Sequence, residues 1–348
     1  MTADVGELVA STKFSSINKL GAYAYKNTLV ETVVKPHDPM CELAILKKLQ
    51  DPGSPYVIEL VSSKVSQGVV TLGFPYYKQN MYEYMRAQYQ KRRWNPYLLA
   101  TQEQSTLQLS NKLDANVAVE CFRQLAHALA YIHSKKVIHR DIKLQNVMVD
   151  TEAGDNAPHL VLIDFGISYD LDNPQEPADA KITDVSTSIY KAPELLFSVK
   201  NYTYAVDIWA LLVLVSQLLQ SNSTSERYVP AFVEDGSEGS NLGSDIRLIS
   251  SIFEQLGTPT LEQWPEVRDR GSPAFAGMFG TSGDGRYVLN RSKPECFDAC
   301  MRLFPKLEEL SEPIRSSVIE CLLRMMPFES TERATASELV DLLAECQT

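Results

Sequence analysis

The residue types that could carry chemistry are concentrated in the middle of the chain. His139-Arg140-Asp141 is followed closely by Lys143 and Asn146, and runs of β-branched residues flank the group. Eighteen residues after Asn146, Asp164-Phe165-Gly166 comes directly behind an apolar run. A carboxylate can accept a proton, carboxylate and amide oxygens are hard ligands for Mg²⁺, and a lysine can contact a phosphate. Together these residue types suit phosphoryl transfer assisted by a divalent cation.

The order of these groups points to a family. Ala192-Pro193-Glu194 closes a 25-residue segment after Gly166, so the chain carries HRDxKxxN, DFG and APE in that order. This ordered set resembles the signature of the protein kinases, and Lys143, two residues after Asp141, resembles their Ser/Thr branch. The resemblance implies an α+β, two-lobed protein kinase fold with ATP and Mg²⁺ as cofactors. The alternative, that Asp141 and Asp164 are ordinary loop carboxylates, is disfavoured by the order of the set.

The kinase resemblance gives each of these side chains a role. Asp141 is expected to accept the proton of the attacking hydroxyl, and Thr187 is the threonine expected to support it. Lys143 is expected to contact the transferring phosphate. Asn146 and Asp164 are expected to hold Mg²⁺.

Two lysines compete for the role of contacting the α- and β-phosphates beside Glu42. Lys26 lies sixteen residues before Glu42, whereas Lys35 lies only seven before it and is followed at once by Pro36. A strand carrying Lys35 would have to end, turn and start a helix within those seven residues. The spacing therefore favours Lys26 paired with Glu42, and it leaves Lys35 as a solvent-exposed lysine at the end of a strand.

The nucleotide pocket has one ordinary and one unusual feature. The strand Val69–Phe74 places Phe74 beside the adenine pocket, where Pro75 can offer only its carbonyl group and Tyr77 both N–H and C=O. A kinase normally has a G-x-G-x-x-G loop over the phosphates. The corresponding turn here is residues 10–14, which contain no glycine, so we expect altered ATP contacts.

The elements that must position these residues divide the chain into a small β-rich N-lobe, residues 1–76, and a larger helical C-lobe, residues 77–348. A helix is predicted over Met40–Leu49, because Asp38-Pro39 is a typical helix start. In the C-lobe, an apolar stripe over Cys121–Ile132 predicts a helix, and the apolar stretch Val206–Leu219 predicts a buried one. Strands are predicted at Leu8–Ala10, Phe14–Ile17, Ala22–Val34, Tyr56–Val61 and Val69–Phe74.

Composition excludes several other classes of protein. With 33 basic and 44 acidic residues the net charge is −11, which argues against binding of a nucleic-acid backbone. The longest apolar run, Ile208–Val215, is too short for a membrane span, and no signal peptide is evident. Six cysteines without a CxxC pair indicate reduced thiols, so we expect a cytoplasmic or nuclear protein. Polar segments near 86–111 and 221–245 are predicted to be solvated surface insertions.

One subfamily fits the chain best. The C-terminal half carries a segment similar to that of cyclin-dependent-kinase-like (CMGC) enzymes, Ile252–Pro259. Further segments resemble the monomeric CDK-activating kinases of budding yeasts, namely Phe74–Tyr77, Lys181–Glu194, Val229–Ser237 and Gly277–Leu289. That resemblance implies a monomer that phosphorylates the activation-segment threonine of cyclin-dependent kinases without an obligatory cyclin. The alternatives are a related Ser/Thr kinase with another substrate, and a pseudokinase that acts as a scaffold.

The segment between DFG and APE also carries an expectation about regulation. In cyclin-dependent kinases the activating threonine lies twelve residues before the APE glutamate, and here that position is Ile182. Arg140 would normally help to bind the phosphate of such a threonine. We therefore hypothesise that Asp179 or Asp184 occupies this basic pocket and makes the enzyme active without phosphorylation. The alternative is that both aspartates are solvated loop charges.

Overall fold

The computed structural model describes residues 6–12, 14–32, 34–91, 109–153, 157–223, 232–236 and 243–344. Its N-terminal lobe is built on an antiparallel sheet with the strand order β1-β2-β3-β5-β4. The strands are β1 (Glu7–Ser11), β2 (Ser15–Leu20), β3 (Tyr23–Leu29), β4 (Ser62–Ser66) and β5 (Val69–Pro75). Gly21, at the turn between β2 and β3, has a φ of +63°, which favours glycine. The central strand of this sheet, β3, carries Lys26.

The helix predicted over Met40–Leu49 is confirmed as α1 (Pro39–Lys48), and it packs against β5. Its first turn is capped by Asp38, whose carboxylate accepts hydrogen bonds from the N–H groups of Met40 and Cys41 at 2.9 and 3.1 Å. The buried apolar side chains of α1 include those of Leu43, Ile45 and Leu46. The same burial turns Glu42 toward β3.

The strand predicted over Tyr56–Val61 is wrong. Val57 forms only an isolated bridge with Leu162, and the next strand, β4, begins at Ser62. Val57 and Ile58 are nevertheless buried in the core. The apolar run therefore reflects side-chain burial by an irregular segment, which a short run of this kind cannot distinguish from a strand.

The C-terminal lobe is mainly helical, so the predicted α+β architecture, with a β-rich first lobe and a helical second lobe, is confirmed. The connection between the lobes runs from Pro75, where β5 ends, to Met81. The helices of this lobe are α2 (Met81–Gln88), α3 (Ala115–Ser134), α4 (Pro193–Leu196), α5 (Ala205–Leu218), α6 (Asp245–Leu256), α7 (Pro265–Arg270), α8 (Ala274–Phe279), α9 (Lys293–Leu303), α10 (Glu312–Met325) and α11 (Ala336–Ala344).

Two helices form the centre of this lobe, and both were predicted. α3 buries the stripe that includes Cys121, Leu125 and Ile132, and it packs against α5 and α11. Every residue of α5 is buried, including its only charged residue, Asp207. Within the described part of the chain, no helix has both the length and the apolar character needed to cross a bilayer.

Short strands frame the loops that carry the predicted catalytic residues. β9 and β12 pair with each other, β10 lies between β6 and β11, and β8 lies between β7 and β13. The loop between β9 and β10 contains residues 139–146, and Asp164 follows β11. These strands are β6 (Gln79–Asn80), β7 (Tyr89–Lys91), β8 (Leu109–Asn111), β9 (Val137–Ile138), β10 (Val147–Asp150), β11 (His159–Leu162), β12 (Tyr169–Asp170) and β13 (Asn222–Ser223).

The two predicted insertions lie partly outside the described residues. In the first, residues 92–108 are outside them, and its ends form α2, β7 and β8 rather than loop. In the second, residues 221–223, 232–236 and 243–245 are described. Phe232 and Val233 are 7% and 1% exposed, and the Phe232 ring packs on Phe304. The expectation of a solvated loop is therefore wrong at these two positions.

Candidate active site

A cavity of about 810 Å³ lies between the two lobes. Its walls come from the N-terminal sheet, from α1 and from the loops of the C-terminal lobe. All ten residues predicted for the site line it: Lys26, Glu42, Phe74, Pro75, Tyr77, Asp141, Lys143, Asn146, Asp164 and Thr187.

A buried carboxylate holds the loop that carries Asp141 through hydrogen bonds to its backbone. Asp207 on α5 accepts hydrogen bonds from the backbone N–H groups of His139 and Arg140 at 2.8 and 2.9 Å, and its Oδ2 lies 3.0 Å from Nε2 of His133. Arg140 has a φ of +70°, a conformation that needs support from its surroundings. Sequence reasoning did not assign this role to Asp207. Its signal was a single charge in an otherwise apolar helix.

The Asp141 carboxylate is held by three side chains. The Thr187 hydroxyl donates to Oδ1 at 2.7 Å, and Nζ of Lys143 lies 2.8 Å from Oδ2. Nζ of Lys143 also donates to the Thr187 hydroxyl at 2.8 Å, and the Asn146 amide donates to Oδ2 at 2.9 Å. With two oxygens fixed by these donors, the carboxylate has a defined orientation toward the cavity.

On the opposite wall, Lys26 joins α1 to the DFG aspartate. Its Nζ lies 2.7 Å from Oε1 of Glu42 and 2.8 Å from Oδ1 of Asp164. Burial acts to lower the pKa of Lys26, but the two carboxylates raise it overall, well above its ordinary value. The Lys26 ammonium lowers the pKa of Asp164 to about 2, and burial raises the pKa of Glu42. Lys26 is therefore charged and Asp164 ionised at neutral pH.

The competing lysine lies elsewhere. Lys35 is exposed, and its Nζ donates to the backbone carbonyl of Gln175 at 3.2 Å. The choice of Lys26 over Lys35 thus agrees with the geometry, since Lys26 alone of the two contacts Glu42 and Asp164.

The predicted adenine side of the cavity follows the end of β5. Phe74 and Pro75 pair in register with Ala24 and Tyr23 of β3. The N–H of the next residue, Tyr76, donates to the carbonyl of Ala22 at 2.9 Å. Tyr76 and Tyr77 both line the cavity.

The turn that replaces a glycine loop is stabilised by a side chain. Between β1 and β2, the Thr12 hydroxyl accepts hydrogen bonds from the N–H groups of Phe14 and Ser15 at 3.2 and 3.0 Å. The Phe14 ring stacks on His37 with 4.2 Å between centroids, and both residues line the cavity. Burial lowers the pKa of His37. Sequence reasoning placed the turn and missed His37, whose approach to Phe14 depends on the tertiary fold.

The segment between DFG and APE, residues 167–191, is called the activation segment below. Its contact with Arg140 differs from the prediction: the guanidinium is paired with Glu176, whose Oε1 and Oε2 lie 2.8 and 3.2 Å from Nη1 and Nη2. Asp179 is exposed, and Asp184 is exposed beside Lys191 at 3.4 Å. The hypothesis that Asp179 or Asp184 fills the basic pocket is wrong, because the carboxylate that pairs with Arg140 belongs to Glu176.

A buried ion pair between Glu194 and Arg333 anchors the chain just beyond the activation segment. Both terminal nitrogens of Arg333 lie 2.7 Å from the two carboxylate oxygens of Glu194. Neither side chain is exposed. The bidentate geometry fixes α4, which begins directly after the segment, against the core.

Comparisons with known proteins agree with this geometry. The family model described as "Protein kinase domain" matches residues 10–342. Serine/threonine-protein kinase CAK1 of Saccharomyces cerevisiae is 39% identical over 97% of this chain and 96% of its own length. Serine/threonine-protein kinase csk1 of Schizosaccharomyces pombe is 33% identical over 41% of this chain and 43% of its own length.

Two solved structures share the fold at low sequence identity. The CAK complex from Chaetomium thermophilum bound to ATP-γ-S has a chain that is 21% identical, with a TM-score of 0.69 over 97% of this chain and 88% of that one. A chain of the yeast RNA Pol II CTD kinase CTDK-1 complex is 19% identical, with a TM-score of 0.64. The match covers 98% of this chain and 92% of that one. The motifs, the site geometry and the match over nearly the whole length lead to one conclusion. The chain belongs to the protein kinase family, in its serine/threonine branch.

Proposed function

We propose that this kinase is a CDK-activating kinase, which transfers the γ-phosphoryl group of ATP to the activation-segment threonine of cyclin-dependent kinases. The observation that carries the proposal is the match to the kinase named CAK1, at 39% identity over almost the full length of both chains. We further propose that it acts as a monomer without an obligatory cyclin, in the cytoplasm, the nucleus or both.

In this proposal Asp141 takes the proton from the acceptor hydroxyl. Thr187 and Asn146 direct its carboxylate, and Lys143 bridges Asp141 and Thr187 at a position suited to contact a phosphate. A base held in one orientation does not have to be reorganised when the hydroxyl arrives, which favours transfer.

The residues of the opposite wall fit ATP and Mg²⁺ by their chemistry. Asp164 is ionised and about 45% of its side chain is accessible, so with the side-chain oxygen of Asn146 it offers the hard ligands that Mg²⁺ prefers. Lys26, held by Glu42, would contact the α- and β-phosphates. When bound, ATP supplies the phosphoryl group and Mg²⁺ neutralises phosphate charge.

Adenine recognition is assigned to the end of β5 and the residues after it. Phe74 would pack beside the base, and the carbonyl of Pro75 and the backbone N–H and C=O of Tyr77 would supply its hydrogen bonds. Proline is compatible with this arrangement because the first hinge contact needs only a carbonyl group.

The test is transfer of labelled phosphate from Mg-ATP to a catalytically inactive cyclin-dependent kinase, followed by mapping of the modified residue. Asp141→Asn serves as the control for contaminating kinases. Label on the activation-segment threonine that is lost with Asp141→Asn is the expected result. Label only on another residue or another protein would leave the kinase activity intact and reject the proposed substrate, and no transfer to any acceptor would favour the scaffold.

A further inference from the structure

The helix α1 carries Glu42 near its start, and its other end is tied to the C-terminal lobe by Lys48, a residue outside those that line the cavity. Nζ of Lys48 lies 2.6 Å from Oδ1 of Asp170 on β12. It also lies 3.1 Å from Oδ2 of Asp172, which Nζ of Lys136 contacts at 2.8 Å. These side chains form one charge network between the two lobes.

The inner pair of this network, Lys48 with Asp170, is largely shielded from solvent. The Asp170 side chain is 9% exposed and that of Lys48 26%, whereas Asp172 and Lys136 are 49% and 59% exposed. Exposed ion pairs contribute little, but a buried carboxylate that loses its cation is strongly unfavourable. The inner pair is therefore the part of the network that can hold α1 in place.

Asp170 belongs to the strands that frame the reacting side chains. It follows Asp164 by six residues, and it pairs in register with Val137 of β9. β9 leads directly into the loop that carries Asp141. Lys48 therefore ties α1 to the same part of the fold that supports Asp141 and Asp164.

The Lys48 contact restricts how α1 can turn. Glu42 and Lys48 are six residues apart, which is about 9 Å along a helix axis and about 120° around it. The carbonyl of Leu49 accepts a hydrogen bond from the Tyr131 hydroxyl at 2.7 Å, which holds the backbone at the end of the helix. A backbone contact close to the axis still allows rotation, whereas the side-chain contact of Lys48 opposes it. The contact thus favours the orientation in which Glu42 reaches Lys26.

We propose that Lys48 is a positioning residue of the kinase reaction, which through Asp170 holds α1 in the orientation that pairs Glu42 with Lys26. The contact supplies from within the chain what a second subunit packed on α1 could otherwise supply. In that respect the inference deepens the proposed action as a monomer and rests on the proposed function. Because Lys48 acts on ATP binding and on transfer to any acceptor, its failure is distinguishable from failure of the proposed substrate.

The first test compares Lys48→Met with Lys47→Met, the same change at the exposed lysine one position earlier. The purified full chain is assayed with the acceptor that the wild type phosphorylates, and the Kd for Mg-ATP is measured by calorimetry, which needs no acceptor. We expect Lys48→Met to lower kcat/KM for ATP roughly tenfold or more and to weaken ATP binding, because Lys26 is no longer held in position. Lys47→Met should match the wild type. Wild-type values for Lys48→Met, or an equal loss in Lys47→Met, would overturn the proposal.

A further variant separates positioning from stability. Lys48→Met leaves the Asp170 carboxylate buried without the Lys48 ammonium, which by itself destabilises the fold. Combining Lys48→Met with Asp170→Asn removes both charges, so urea denaturation should show a recovery of stability while kcat/KM for ATP stays low. Recovery of kcat/KM together with stability would mean that Lys48 serves only the fold, and the proposal would be rejected.

A double-mutant cycle tests the route through Glu42. In Glu42→Gln the ion pair with Lys26 is already lost, so adding Lys48→Met should cause little further loss of kcat/KM for ATP. Losses of kcat/KM that multiply would show that Lys48 does not act through Glu42 and would contradict the proposal.

Discussion

The hydroxyl of Thr187 donates a 2.7 Å hydrogen bond to Oδ1 of Asp141, across 46 residues of sequence. The bond joins the end of the activation segment to the proton acceptor. It means that the orientation of Asp141 is set partly by a residue of the activation segment. Thr187 is thus a sensitive position for testing how the site is organised.

Replacing Thr187 by valine keeps the shape of the side chain and removes this hydrogen bond. We expect kcat to fall roughly tenfold or more, since small misplacement of a reacting group is costly, with little change in the KM for ATP. Steady-state kinetics with Thr183→Val, the same change four residues earlier, provides the control. Equal kinetics of the two variants would contradict the role assigned to Thr187.

The two lysines of the N-terminal lobe can be separated directly. Lys26→Gln removes the cation between Glu42 and Asp164 and should lower kcat/KM for ATP by about 100-fold, the usual scale for loss of one charge-stabilising group. Lys35→Gln is the matched control and should stay within about twofold of the wild type, because its Nζ contacts only a surface carbonyl among the described contacts. A larger effect of Lys35→Gln than of Lys26→Gln would reverse the assignment.

Removing one partner of the buried ion pair of Arg333 with Glu194 should strongly destabilise the fold. Arg333→Met leaves a buried carboxylate uncompensated, so we expect the free energy of unfolding to fall by about 3–5 kcal/mol. Arg324→Met, at a half-exposed arginine whose carboxylate contacts are 3.9 and 4.0 Å, should cost at most about 1 kcal/mol. Urea denaturation followed by circular dichroism measures the free energy of unfolding of both variants. A similar urea midpoint for the two variants would contradict the larger cost expected for Arg333→Met.

Asp164 should contribute to the acid sensitivity of the fold. Lys26 lowers the pKa of this carboxyl from 3.8 to about 2 in the folded chain. Because the folded-state pKa is depressed, the ionised carboxylate stabilises the fold above pH 3.8, and this contribution is lost as the pH falls from there towards 2.

The urea midpoint of Asp164→Asn should therefore fall less steeply than that of the wild type over this pH range. Asp179→Asn, an exposed aspartate, should follow the wild-type curve. Curves of identical slope for the wild type and Asp164→Asn would show that the interaction with Lys26 does not contribute to folding.

Much of the site could be predicted because its chemistry is local in sequence. Asp141, Lys143 and Asn146 lie within one short loop, and their order, followed by DFG and APE, carries the resemblance to protein kinases that implies their roles. The choice of Lys26 over Lys35 needed only the length of chain required to end a strand and start a helix. The strand predicted at Tyr56–Val61 failed, since the same apolar run can be buried without pairing.

The partner of Arg140 could not be predicted, for a different reason. Glu176, Asp179 and Asp184 are all acids on one segment, and sequence spacing does not determine which of them the folded chain turns inward. That choice depends on Tyr169, Tyr202 and the N–H of Ile182, which enclose Glu176 and Arg140 only after the chain has folded. Asp207 was missed similarly, because its partners are backbone N–H groups 67 and 68 residues away.

The pairing of Glu194 with Arg333 also has a consequence for synthesis. The two residues are 139 positions apart, so a chain emerging from the ribosome contains the carboxylate long before its only bidentate partner among the described residues. At about 5–20 residues per second, the interval is roughly 7–28 s. During that time the anchor behind the activation segment is incomplete, and the newly made kinase is expected to depend on protection from aggregation until Arg333 has emerged.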